Sequence, residues 1–241
     1  MTTTGSPGPS VPWSTVRGIV LGNRVGMDAG FVGNHLRGHG CRFEEAHRED
    51  PAHWPDLAGA DLVLTLGSEW NVYRPETAAA VDAEAAFVRE VIERGIPLLA
   101  ICFGAQVLAH ALGGAVSRAP TPEIGWFDLD LAPAAPTPSA AGPWMEWHDD
   151  VFTVPEGFDV LARTGAGPQL IAGGRAVATQ FHPEATETMV RDWIEHGGAD
   201  QLASRGGDPD ALLAQTRVNV GRSRPAAEAL VDWFLDVTAG R

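Results

Sequence analysis

The chain has 241 residues, long enough for one large α/β domain with a substantial core, and with 44% hydrophobic and 20% charged residues it lies in the ordinary globular range. Its 17 basic and 31 acidic residues leave a net charge of −14, which repels phosphate backbones and anionic lipid heads and so argues against nucleic-acid and membrane partners. The two cysteines, Cys41 and Cys102, are too few and too far apart for a disulfide scaffold or a metal knuckle and fit a reducing cytoplasm. No apolar run approaches the roughly 18 to 20 residues of a membrane span.

Residues 1–14, beginning MTTTGSPGPSVP, have neither a basic region nor an apolar run and read as a flexible tail, leaving 15–241 as a single domain with a C-terminal helical extension. Val16 to Leu21 is a short β-branched run ending at Gly22, and the stretch from Ala29 to Leu36 can form a helix closed by Gly38 and Gly40. Cys41 to Ala46 reads as a second strand. Asp61 to Leu66 is a continuous apolar run of the kind buried on both faces of a parallel sheet, broken by Gly67 and Ser68. Pro75 to Arg94 is expected as a helix stopped by Gly95, Ile96 to Ile101 as the next buried strand, and the stretch from Gly104 to Leu112 as a further helix ending at Gly113 and Gly114.

Downstream, strand-like pieces recur at Gly125 to Leu131, Trp144 to Trp147, Val160 to Ala162, Gln169 to Ala172 and Ala176 to Gln180, so this half reads as mixed or antiparallel. The AlaPro-rich piece from Leu131 to Pro143 reads as a surface loop. Thr186 is placed to cap a helix over Glu187 to His196, and a last helix is expected from about Pro225 to Val237. Strands alternating with helices imply a three-layer α/β/α sandwich around a mostly parallel, flavodoxin-like sheet with antiparallel additions.

Cys102 falls at the junction of a strand and a helix. A nucleophile on such a turn is held clear of the backbone, and the N–H groups opening the helix favour its anionic form. Small residues at Ala100 and Gly104, two positions to either side, permit so tight a turn. A lone cysteine is as often a small core residue, but Gln180-Phe181-His182-Pro183-Glu184 ends another expected strand and supplies the partners this chemistry needs. A neutral imidazole must keep its proton on the nitrogen away from sulfur, and a carboxylate on that nitrogen fixes the tautomer and stabilises the imidazolium that forms.

The segments ICFGAQVLAHALGG and QFHPE together resemble class I (triad-type) glutamine amidotransferases, in particular stand-alone proteins similar to the amidotransferase domain of GMP synthase. Leu66 to Tyr73 resembles the family's oxyanion loop, Glu123-Ile124-Gly125-Trp126 its EIGW strand, and Trp147-His148-Asp149-Asp150 its WHGD turn, so the likeness covers roughly residues 16 to 196. It implies that Cys102 attacks the side-chain amide of glutamine, that His182 is acid and base, and that Glu184 supports His182. It also implies an oxyanion hole from Phe103 and the Gly67-Ser68 loop, and a glutamine pocket lined by Gln106. His148 would lie near the substrate, against the plainer alternative of a histidine satisfied within its own turn.

Two departures stand out. Ala100 occupies a position where many members have glycine, and Gly167 to Ile171 differs from the usual segment before the histidine. Nothing from about residue 198 onward suggests a synthetase domain, so either a separate synthetase subunit receives the ammonia or the enzyme acts alone on a γ-glutamyl amide or peptide-like substrate. The alternatives are a γ-glutamyl peptidase or γ-glutamyl-amine hydrolase with the same triad, against which Phe103 weighs because such enzymes often have arginine there, and a non-catalytic regulatory or scaffold protein on the same fold. Cys41 as the reactive thiol has little support. His35 and His39 are spaced i, i+4 and could bind zinc from a helix, but no carboxylate or cysteine set completes a site there, so they read as surface residues. No metal and no cofactor is expected.

Overall fold

The structure, a computed structural model, describes residues 16–135, 140 and 142–239. The expected tail over 1–14 and the middle of the AlaPro loop lie outside the described residues. The apolar runs of the first half form β1 (Val16–Gly22), β2 (Cys41–His47), β3 (Leu62–Thr65) and β4 (Leu98–Ile101). Between them lie α1 (Gly30–Gly38), α2 (Ala78–Glu93) and, after β4, α3 (Phe103–Ala111). The second half adds β5 (Val116–Phe127), β6 (Asp130–Leu131), β7 (Trp144–Phe152), β8 (Asp159–Arg163), β9 (Pro168–Gly173) and β10 (Ala176–Thr179). It ends with α4 (Glu187–Trp193), α5 (Ala199–Ala203) and α6 (Pro209–Ala239).

Among the described residues eight strands form one sheet in the order β2-β1-β3-β4-β10-β9-β8-β6. The first five run parallel, the doubly wound order in which ligands bind beyond the carboxyl ends of the strands. Strands β9, β8 and β6 continue it antiparallel, as the mixed character of the second half implies. Alternate residues of each central strand serve opposite faces. Val20, Leu64 and Leu99 pack with Val32 and Leu36 of α1 and with Leu230 and Phe234 of α6. Ile19, Val63 and Leu98 pack with Val81 and Val88 of α2 and Val107 and Leu108 of α3, giving the three layers.

Three elements depart from the sequence reading. The strand expected to begin at Gly125 begins at Val116, because Pro120 and Pro122 fall where the register to β7 breaks between Arg118 and Glu123, and proline is tolerated in a strand where its missing N–H interrupts nothing. His148 to Asp150 are not a turn but the second half of β7, where Glu146, His148 and Asp150 are buried polar residues that mask the usual apolar alternation. The last helix starts at Pro209 and carries Pro225 inside it: the rule that proline opens a helix holds, at the earlier proline. Thr186 caps α4 as expected, its hydroxyl accepting from the Met189 N–H at 3.2 Å.

Candidate active site

Strands β4 and β10 are hydrogen-bonded neighbours, with Ile101 opposite Thr179, so the residues that follow each of them emerge side by side at the carboxyl edge of the sheet. Cys102 follows β4 and caps α3. Its backbone is at φ 52° and ψ −107°, and among the described residues it is the only non-glycine with positive φ. Its N–H donates to the Thr179 carbonyl at 2.7 Å, and its carbonyl accepts from the Gln106 N–H at 3.1 Å, pinning the elbow at both ends. Gly104 is required by close approach: a Cβ there would lie 2.8 Å from the Thr65 carbonyl oxygen and closer still to its hydroxyl. Ala100 sits at an ordinary strand position in β4, so its methyl brings no strain.

His182 follows β10 by three residues and is held by its N–H, which donates to the Met145 carbonyl of β7 at 2.8 Å. Its Nδ1 lies 2.7 Å from Oε1 of Glu184, and both side chains are buried. Among the described residues Nε2 has no hydrogen-bond partner. Gly67 borders both this ring and the cysteine: a Cβ at Gly67 would be 2.9 Å from Cε1 of His182 and 3.5 Å from Cβ of Cys102. Cys102 and His182, eighty positions apart in the chain, therefore meet beside one glycine. Burial alone would push the His182 pKa down, but the Glu184 carboxylate and the Cys102 sulfur overcome it and hold the ring well above its usual range, favouring the imidazolium. Trp193 of α4 lies against the ring, centroids 4.8 Å apart.

The Gly67-Ser68 loop is braced from beneath by Arg48, a fully buried residue that no motif or spacing singles out. Its guanidinium donates to the carbonyls of Leu66 at 2.6 Å and Gly67 at 2.9 Å, and pairs in bidentate fashion with buried Glu84 of α2 at 2.7 and 3.1 Å. It also lies 4.8 Å over the ring of Phe103, which joins the loop to the start of α3. With both carbonyls turned toward Arg48, the loop is fixed in direction. The Ser68 hydroxyl donates to Asn23 at 2.7 Å. Phe103 opens α3, so its N–H has no acceptor within the helix. On the other side Asp150 of β7 accepts from Asn71 at 2.5 Å and from the Tyr73 hydroxyl at 2.9 Å, closing the loop against the β5–β7 ribbon.

Gln106 is buried one turn into α3 and donates to Oε1 of Gln180 at 3.3 Å, while Gln180 in turn directs its own amide toward Sγ of Cys102 at 3.7 Å. Gln180 is thus the glutamine nearest the sulfur, readable only as part of QFHPE. His148 is enclosed by protein: its Nδ1 meets the Asp150 carbonyl at 3.0 Å, and its Nε2 lies 3.1 Å from Glu123 and 3.3 Å from Glu146. Burial would lower its pKa, but the two carboxylates raise it to about 10, so an imidazolium already neutralises the cluster in the place a metal ion could take. The Glu146 carboxyl, fully buried, is pushed up by its own desolvation. Cys41 lies elsewhere, and burial raises its thiol to about 11, which removes it as a nucleophile near neutral pH.

A cysteine on a strained elbow, with a carboxylate-braced histidine at the next strand end of a doubly wound sheet, defines the class of α/β proteins built around a cysteine-histidine-carboxylate constellation. The family model described as glutamine amidotransferase class-I matches residues 73–196, and the chain belongs to that family. It is 37% identical over 180 residues to the glutamine-hydrolyzing GMP synthase of Aquifex aeolicus, covering 72% of this chain and 34% of that protein. It is 32% identical over 178 residues to that of Aeropyrum pernix, covering 69% and 33%. The chain thus spans about a third of the length of these curated relatives. A glutamine amidotransferase structure from Thermotoga maritima superposes with a TM-score of 0.79 at 25% identity, covering 94% of this chain and 99% of that one. One from Methylobacillus flagellatus, at 20% identity and TM-score 0.74, covers 92% and 94% and shows the shared fold. Among the described residues no helix is long and apolar enough to cross a membrane.

Proposed function

We propose that the chain is a cytoplasmic amidotransferase that hydrolyses the side-chain amide of glutamine through a Cys102 thioester. The observation that carries this reading is the meeting of Cys102, His182 and Gly67 at one point, with Glu184 on the far nitrogen of the ring. The thiolate adds to the amide carbon of glutamine. The oxyanion is held by the Phe103 N–H and by N–H groups of the Gly67-Ser68 loop, each worth about 3–4 kcal/mol in comparable sites. Collapse of the adduct expels ammonia with a proton from the His182 imidazolium. Neutral His182 then takes a proton from the water that attacks the thioester, and glutamate leaves as the sulfur regains its charge. Glu184 keeps the ring in the required tautomer throughout.

Gln106 and Gln180 form the polar floor beside the sulfur. His148, with both ring nitrogens taken up by the protein, acts by holding β7, whose Met145 carbonyl positions His182. We read residues 15–241 as one domain, because Leu230 and Phe234 of the C-terminal helix share a core with β1 and α1. The GMP synthase names of the relatives support a separate synthetase as the acceptor of ammonia.

The test is ammonia release from glutamine by the purified chain, alone and with candidate synthetases, beside Cys102→Ser and beside labelling with a glutamine-like diazoketone. Ammonia release and stoichiometric labelling, both lost in Cys102→Ser, are expected. Preference for γ-glutamyl-amines over glutamine would instead mark the γ-glutamyl hydrolase chemistry. No turnover and no labelling under any condition would leave a scaffold protein.

A further inference from the structure

The two histidines at i, i+4 on the surface, His35 and His39, acquire in the fold the third partner that the nearby sequence lacks. Asp232, 193 residues beyond His39, is carried by α6 across the carboxyl end of α1. Its Oδ1 lies 2.7 Å from Nε2 of His35 and 3.0 Å from Nε2 of His39, and the two nitrogens are 3.3 Å apart. Three donor atoms from two helices thus form one small triangle.

Hydrogen bonding explains this triangle poorly. For both contacts to Asp232 to be hydrogen bonds, each imidazole must aim an N–H at the same oxygen, which sets two like dipoles together at 3.3 Å. A cation that replaces both protons removes that conflict, and metal binding releases ligand protons in this way. The dimensions agree: tetrahedral bonds of about 2.0–2.1 Å place ligand atoms about 3.3 Å apart. The His–His edge already has that length, and the Asp edges, at 2.7 and 3.0 Å, need to open by about 0.6 and about 0.3 Å. Two imidazoles with one carboxylate select zinc and its neighbours over magnesium or calcium. The imidazoles are 24% and 36% exposed, which leaves a fourth position open to water. Cys41 lines the same crevice beside His39.

We propose that His35, His39 and Asp232 form a zinc-class transition-metal site that clamps α1 to α6. This revises the sequence reading, in which no metal was expected, and it stands whatever the substrate. The clamp bears on the candidate active site through the helix itself. At the other end of α1, about 13 Å away by helical rise, the Phe31 N–H donates to the Glu184 carbonyl at 3.0 Å, with Gly30 packed directly on that oxygen.

The test uses the full chain carrying Cys102→Ser, so that the other thiol near a histidine cannot bind metal, stripped with chelator and titrated with zinc chloride by calorimetry. One zinc per chain is expected, with a Tm that climbs with zinc concentration by mass action, and cobalt(II) chloride should give the visible absorption of a tetrahedral nitrogen-oxygen site. Asp232→Asn, His35→Gln and His39→Gln should each weaken zinc by more than the roughly tenfold that loss of an outer-shell partner costs. The exposed pair at His53 and Asp50 supplies the control, His53→Gln, which should change nothing. Equal chelator-treated Tm values would show that each variant folds, and any one of the three suffices. Absence of saturable binding overturns the proposal. So does binding indifferent to all three substitutions, which would place the metal elsewhere, such as at the buried Glu123, Glu146 and His148.

Discussion

Replacing Gly67 by alanine puts the proposed geometry under the most direct strain. The added methyl would lie 2.9 Å from Cε1 of His182 and 3.5 Å from Cβ of Cys102. Non-bonded carbons settle at about 3.5–4.0 Å, so the imidazole or the loop must retreat by about 0.6 Å or more. Gly67 is not among the glycines with positive φ, so alanine adds no backbone strain and the whole displacement falls on the site. A misplacement approaching 1 Å costs about a hundredfold in rate, equivalent to about 2.7 kcal/mol of barrier. Overpacking removes about 1–3 kcal/mol of stability, at about 2–4 °C of Tm per kcal/mol in a chain of this size. Gly67→Ala is therefore expected to stay folded, to lose about two orders of magnitude in kcat/KM for ammonia release, and to show altered iodoacetamide reactivity at Cys102. Wild-type kcat/KM together with unchanged thiol reactivity would refute the reasoning, since the added methyl could not then crowd the imidazole and the cysteine.

Arg48→Met strips a buried carboxylate of its partner and two loop carbonyls of their donors, and should cost about 3–5 kcal/mol in urea unfolding. Arg48→Met with Glu84→Leu should recover part of that loss, and a single variant weakened by less than about 1 kcal/mol would contradict the bracing role. For His148, the folded pKa of about 10 exceeds the ordinary 6.5, so the folded state holds the extra proton between those values. Its contribution to stability is complete below about pH 6.5 and is lost as pH rises toward 10. Urea midpoints across that window should fall more steeply for the wild type than for His148→Gln, and parallel slopes would remove the buried imidazolium.

The central strands were legible because their signals are local: Val16 to Leu21, Asp61 to Leu66 and Ile96 to Ile101 are apolar runs punctuated by glycine, and each lies within a residue or two of its strand in the fold. The elbow at Cys102 and the HPE triplet were legible for the same reason, each being a short string at a strand end. What escaped depends on distant partners. Arg48 and Glu84 are 36 residues apart and Asp232 stands 193 from His39, separations that leave no periodic trace. Trp193 reads as ordinary helix packing, and only the fold turns it onto His182. The second half of β7 was missed because its buried face carries Glu146, His148 and Asp150, polar groups satisfied by one another and by neighbouring elements instead of by water.

The twisted corner at Cys102 sets durability against reactivity at a single residue. An L-amino acid held at φ 52° forgoes about 1–3 kcal/mol, a sizeable fraction of the margin by which a domain of this kind outlasts its unfolded chain. Glycine would rest there without protest. A polypeptide shaped only to resist heat has no use for sulfur at that bend, so a hotter-melting version of this chain and one carrying the proposed nucleophile are alternatives at position 102.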